Sequence, residues 1–225
     1  MNIVLFGPPG SGKGTQAEKL ANEYKLLKVS TGDLLREEIN KKSKLGEEIN
    51  SKISKGFLVS DDILDNLIEN IFIKEGPHEG LIFDGYPRTL SQLKILENLI
   101  KKYEKKISFV FSLNVDQNTI IKRILGRELC SKCGLIFNKF FYPSNKKNHN
   151  CDPKFLNKRN DDNEETILKR IQTYKKETLP ILNYYKNQSL LYEIDGIGDI
   201  THIYKQIQSI INTLEAWLYN VYLYK

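Results

Sequence analysis

The chain reads as an α/β protein in which a central parallel sheet is covered by helices on both faces. Two observations predict this. Short apolar runs at 2–6, 27–29, 81–83, 107–115 and 190–195 alternate with longer stretches of helical period. The third run, and the first from Ile3 onward, are apolar throughout, as buried strands of a parallel sheet are.

The elements follow in order. Ile3-Val4-Leu5-Phe6 is a strand stopped by Gly7-Pro8-Pro9-Gly10. A helix fits from about Lys13 to Tyr24, with Ala17, Leu20 and Ala21 on one face. After the second strand come three short helical patterns between Thr31 and Lys74, with breaks expected near Gly46 and Gly56. Leu81-Ile82-Phe83 is a strand ending at Asp84. A helix from about Leu90 to Lys101 leads to the strand Ile107–Val115, and a further helix spans roughly Gln117–Leu125. From Gly126 to about Asn160 the periodicity disappears, so this stretch reads as an insertion rather than core. Helical period resumes at Glu164–Tyr185; a strand at Leu190–Asp195 and a helix from about Ile200 close the chain. No internal repeat is visible.

At 225 residues, 40% hydrophobic and 28% charged, the composition is that of a globular protein with one sizeable core. No run approaches the ~18 consecutive apolar residues of a membrane span. The opening apolar run is too short for a signal peptide, so a cytoplasmic, monomeric enzyme without membrane attachment is expected. The net charge of +6 suits polyanionic partners. Its lysines are dispersed over polar helical stretches, as at Lys41, Lys42, Lys101, Lys102, Lys105 and Lys106, which reads as solvated surface.

Gly7-Pro8-Pro9-Gly10-Ser11-Gly12-Lys13 fits G-x-x-x-x-G-K between a strand and a helix, as a phosphate loop requires. Glycines let successive N–H groups converge on phosphate oxygens, the helix adds its positive end, and Lys13 adds a point charge. The fold class is therefore the P-loop NTPase three-layer fold. Gly14 stands where Ser or Thr usually ligates Mg²⁺, so the nearest hydroxyl is on Thr15. Asp84, at the end of an apolar strand, is placed to complete a Mg²⁺ site.

The string Gly-Pro-Pro-Gly-Ser-Gly-Lys-Gly-Thr-Gln closely resembles the opening of adenylate kinases. Four further stretches are similar to that family in order and spacing: Ser30–Arg36, Gly56–Val59, Asp84–Arg88 with Gln92, and Arg159–Asp162 with Arg170. The resemblance spans residues 1–213 and implies ATP, AMP and ADP as substrates, Mg²⁺ with ATP, and two inserted subdomains. These are an AMP-binding segment at 30–60 and a lid at 126–161, on a core of 1–29, 61–125 and 162–225.

The resemblance also implies roles. Gly10, Ser11, Gly12, Lys13, Gly14 and Thr15 would hold ATP phosphates, with Arg123 and Arg127 closing over them. Backbone at Ile136, Phe137 and Gly198 would flank the ATP base. Thr31, Arg36, Gly85, Tyr86, Pro87, Arg88 and Gln92 would form the AMP site, with Phe57, Leu58 and Val59 along the base and Arg159 and Arg170 bridging the two sides. Lys13, Asp84, Arg88, Arg123, Arg159 and Arg170 would carry catalysis. All six arginines, among 34 basic residues, fall at these positions. Bidentate phosphate contact needs the planar guanidinium, whereas lysine suffices for surface charge.

Two competing readings are another nucleoside monophosphate kinase, such as a GTP-using AMP kinase, and a zinc-knuckle nucleic-acid-binding protein switched by ATP. The insertion is long for a pyrimidine kinase. The dispersed lysines, with no stacking-aromatic motif, argue against nucleic acid.

Cys130, Cys133 and Cys151, an odd number clustered in the insertion, point to a metal rather than disulfides. Three thiolates at this spacing suit a structural zinc. In the resembling family a fourth Cys or Asp follows the third ligand by three residues; here that position is Lys154, leaving Asp152, His149 or a water. Beyond the resemblance, Leu214, Trp217, Leu218, Val221 and Tyr222 recur at helical spacing, which reads as extra turns packed on the core.

Overall fold

The structure, a computed structural model, describes residues 1–74 and 80–223; the side chains of Lys74 and of 215–223 also lie outside that description. The strands are β1 (Ile3–Phe6), β2 (Leu27–Ser30), β3 (Leu81–Asp84), β4 (Phe109–Asn114), β5 (Arg127–Cys130), β6 (Ile136–Asn138), β7 (Leu156–Asn157) and β8 (Leu191–Asp195). The helices are α1 (Lys13–Tyr24), α2 (Thr31–Asn40), α3 (Lys44–Ile53), α4 (Asp61–Lys74), α5 (Leu90–Lys102), α6 (Gln117–Leu125), α7 (Glu164–Thr173), α8 (Leu179–Asn187) and α9 (Ile200–Leu223).

Five strands form a parallel sheet in the order β2-β3-β1-β4-β8. Because side chains alternate across a strand, β1 feeds two cores. Ile3 and Leu5 pack with Ala17 and Leu20 of α1 and Ile203, Ile207 and Ile211 of α9. Val4 and Phe6 pack on the opposite face with Ile68, Phe72, Leu93, Leu96, Ile181 and Tyr185. This is the expected three-layer architecture. Strand order reverses about β1, and the crevice beyond the C-terminal ends of β1 and β3 is where such sheets bind ligands.

Two satellite clusters flank the core. Leu35, Ile49, Val59 and Leu64 join α2, α3 and α4. Ile120, Ile124, Ile167 and Ile171 join α6 and α7, the helices on either side of the 126–161 stretch.

Two local expectations are corrected. Gly46 does not break the second helical pattern but sits in the first turn of α3, where Ser43 Oγ caps its N–H. A Cβ there would stand 2.5 Å from the carbonyl oxygen of Glu38, so the glycine serves close helix packing. The helical pattern at Glu164–Tyr185 is not continuous: a π-helix, Tyr174–Thr178, separates α7 from α8. Pro180 has no N–H to give the preceding turn, and its ring displaces the carbonyl that would have received one. The stretch without periodicity contains a small antiparallel sheet in the order β6-β5-β7, whose strands of two to four residues are too short for a period to register.

Candidate active site

The loop after β1 turns through Gly7, Gly10 and Gly12, all at positive φ. Gly12, at φ 99°, caps α1 in the left-handed region that a side chain rarely adopts. At Gly7 a Cβ would meet Ser11 Oγ at 2.6 Å, so the buried Ser11 depends on it. Lys13 reaches back across the loop, donating from Nζ to the carbonyls of Gly7 (2.6 Å) and Pro8 (3.0 Å). Burial pushes its pKa down to about 8, with Arg88, Arg170 and Arg127 adding to the depression against the pull of Asp84. Asp84 stands against the first turn of α1: a Cβ on Gly14 would lie 3.2 Å from its Oδ2. A side chain at position 14 would need this carboxylate to move by a few tenths of an ångström.

On the facing side, β3 runs into Asp84-Gly85-Tyr86-Pro87-Arg88 through a cis Tyr86–Pro87 bond. The Gly85 carbonyl accepts from Thr31 Oγ1 (2.8 Å) and Arg88 Nε (2.7 Å). The Tyr86 ring is buried beside Phe83, so Tyr86 can offer the cleft only its backbone. Burial first, then Arg170 and Arg36, lower the Arg88 pKa to about 10. Arg36 pairs with Asp33 at 2.5 Å. Phe57, Leu58, Val59, Leu35 and Leu64 supply an apolar wall to the same cleft. Gln92 is fully buried, its Oε1 accepting from Arg88 N and its Nε2 donating to Asp61.

Arg170 of α7 enters the cleft and pairs with Asp161 at 2.6 Å, while Arg127 of β5 is held in a fork by Asp162. Arg159 is half-buried, its Nε buried with no partner, and burial, Arg127 and Arg36 lower its pKa to about 10. Lys13 therefore lies in the fields of Arg88, Arg127 and Arg170, Arg88 in those of Arg170 and Arg36, and Arg159 and Arg170 in those of Arg127 and Arg36. Their mutual repulsion in a desolvated cleft is relieved by a polyanion.

A sequence model of the family described as "Adenylate kinase" matches residues 5–190. Among similar chains, an adenylate kinase of Pelagibacter ubique is 41% identical over 94% of this chain and 99% of its own length. One of Archaeoglobus fulgidus is 36% identical over 96% of this chain and all of its own. One of Bacillus velezensis is 37% identical over 95% and 99%. The chain belongs to the adenylate kinase family.

Arg123, at the end of α6, donates to the carbonyl of Ser11 (3.2 Å) and more loosely to that of Gly198 (3.4 Å). It thereby links the phosphate loop to the loop after β8. Gly10 packs against Ile124 of the same helix, and the Thr15 N–H bonds the Gly12 carbonyl as the first turn forms. Ile136 is exposed on β6, and the Phe137 side chain is buried inside the small sheet against Tyr142 and His149. Asn138 sits at the base of this sheet, donating to the Arg123 carbonyl (2.7 Å) and accepting from the N–H groups of Phe140 and Phe141.

Cys130, Cys133 and Cys151 converge with His149, their ligand atoms all within 4.8 Å of one another. His149 is the fourth member of the cluster. Asp152, the alternative, is not among these atoms; its Oδ1 caps the short 3₁₀ turn Pro153–Phe155 by accepting from Lys154 N. The donor set fits zinc: His149 Nε2 is buried with no hydrogen-bond partner. Burial opposes ionisation of Cys130, yet the backbone N–H groups of Cys133 and Lys132 and the His149 side chain bring its thiol down to about 6.

The sequence did not assign roles to Asp161, Asp162, Asp61 or Thr178. The first two lie inside a recognised motif, but nothing in their spacing says that they pair with Arg170 and Arg127. Thr178, whose Oγ1 donates to the Arg88 carbonyl (2.9 Å), is brought there by the π-helix, which the sequence pattern conceals.

Proposed function

We propose that this chain catalyses the reversible reaction ATP + AMP = 2 ADP in the cleft between the phosphate loop and the Arg88 face. The observation that supports this reading is a single cleft lined by four cations, Lys13, Arg36, Arg88 and Arg170, with an apolar wall on one side and Arg127 within electrostatic reach of Lys13. Residues 10–15 and Arg123 would hold ATP phosphates, Arg36 and Arg88 the AMP phosphate, and Gln92 the adenine edge. Arg127, Arg159 and Arg170 would bridge the phosphates between which the phosphoryl group moves in line. Catalysis is then positioning plus charge stabilisation over the transferring group. Mg²⁺ bound with ATP would neutralise phosphate oxygens, and Asp84 and the Thr15 hydroxyl would hold it through its water. We read 30–60 and 126–161 as the pieces that close over the nucleotides and exclude water, the latter stapled by structural zinc on Cys130, Cys133, His149 and Cys151.

The test is a coupled assay for ADP formed from ATP plus AMP, with GTP as competing donor and UMP, CMP and GMP as competing acceptors. ADP formation that requires AMP supports the reading. Transfer only to another monophosphate, or only from GTP, would overturn it.

A further inference from the structure

We propose that Asp61 sets the preference of the monophosphate site for adenine, by locking which way the Gln92 amide faces. This rests on the reading of Gln92 as the group that meets the base. An amide can turn over, exchanging its oxygen and nitrogen with little change of shape. Here its two neighbours have fixed and opposite polarity. The Arg88 backbone N–H can only donate, and it meets Gln92 Oε1 at 2.7 Å. The Asp61 carboxylate, when ionised, can only accept, and it meets Gln92 Nε2 at 2.8 Å. A third bond, from Gln92 N to Thr89 Oγ1 at 3.1 Å, fixes the backbone to which the side chain is attached.

The amide is fully buried and is bonded to the backbone of Arg88, which lines the cleft. Val59 and Leu64, two residues before and three after Asp61, line that cleft, as does Arg88. After these bonds Gln92 keeps one N–H and one lone pair, in a fixed order. Adenine presents an acceptor at N1 beside a donor at its exocyclic amine. Guanine and hypoxanthine present the reverse, a donor N–H at N1 beside the O6 acceptor. The locked amide matches the first edge, and against the second it sets donor to donor and acceptor to acceptor. Buried mismatches of this kind discriminate strongly.

Asp61 is thus a positioning residue rather than one that touches the nucleotide. Asp61→Asn keeps the shape but supplies a donor as well as an acceptor, so half of the lock is lost. The experiment measures kcat/KM for AMP and for IMP with ATP as donor, in the wild type, Asp61→Asn, Asp61→Ala and Asp61→Glu. We expect the AMP-to-IMP ratio to fall ~10-fold or more in Asp61→Asn, through a raised KM for AMP. Asp61→Ala should lower it as well, and Asp61→Glu, still acceptor-only, should restore it in part. The KM for ATP should not move. A merely structural role would depress both acceptors alike, and an unchanged ratio in folded Asp61→Asn and Asp61→Ala would overturn the inference. A wild type that forms no ADP from AMP would instead overturn the functional reading on which it rests.

Discussion

Arg88 is fixed at its N–H by Gln92, at its carbonyl by Thr178 and at its Nε by the Gly85 carbonyl, which leaves the guanidinium end directed into the cleft. Lysine at this position keeps charge but has neither the Nε anchor nor a fork. Arg88→Lys should therefore lower kcat ~10²-fold or more with folding retained, by steady-state kinetics and circular dichroism, while exposed Lys101→Ala changes little. Lys13 carries a pH dependence. Its pKa falls from 10.5 to about 8 in the fold, so between those values the unfolded chain holds a proton that the folded chain has released. Stability then rises with pH through that window, and the charged form below it is the one that burial, and after it the neighbouring arginines, disfavour. Phosphate oxygens favour the charged form, so nucleotide binding near pH ~8.5 should take up a proton. Calorimetry in buffers of different ionisation enthalpy measures this, and Lys13→Met should abolish it.

At the scale of elements, β1, the phosphate loop and α1 were legible because each is local: an apolar run, glycine punctuation and a regular period. The π-helix was not, because its cause is a missing hydrogen bond at Pro180 and its effect is a shift in register rather than a change of composition. The small sheet was hidden for a related reason: its stability comes from Phe137, Tyr142 and the cysteine cluster converging, not from strand length. The fourth ligand depended on chain path, which brings His149 back over Phe137 and turns Asp152 towards a cap. Protein purified without chelator should carry about one zinc per chain, as a closed tetrahedral site does. His149→Ala and Cys151→Ser should lose that metal, whereas Asp152→Ala should keep it, as metal analysis with thiol titration would register. Such a small sheet depends on its metal for folding energy, so chelation should also lower thermal stability.

For the whole molecule, the two faces of the sheet are separate cores that share β1, and α9 closes one of them. Leu214 packs at the edge of that core; of the tail residues read from sequence, the side chains of Trp217, Leu218, Val221 and Tyr222 lie outside the described residues. Truncation after Thr213 should lower the melting temperature and leave the size in solution unchanged, as scanning calorimetry and light scattering would record; a change in size would point to a contact between copies. The ion pairs of Arg127 with Asp162 and Arg170 with Asp161 have a different consequence at this scale. With the phosphate-binding roles proposed for these arginines, nucleotide binding would be an exchange reaction, in which an incoming oxyanion displaces an intramolecular carboxylate instead of water alone. Affinity for nucleotide would be lowered by whatever those pairs contribute, and the same amount would return as product leaves and the aspartates recapture their arginines. Release of ADP would then proceed without stripping two arginines bare.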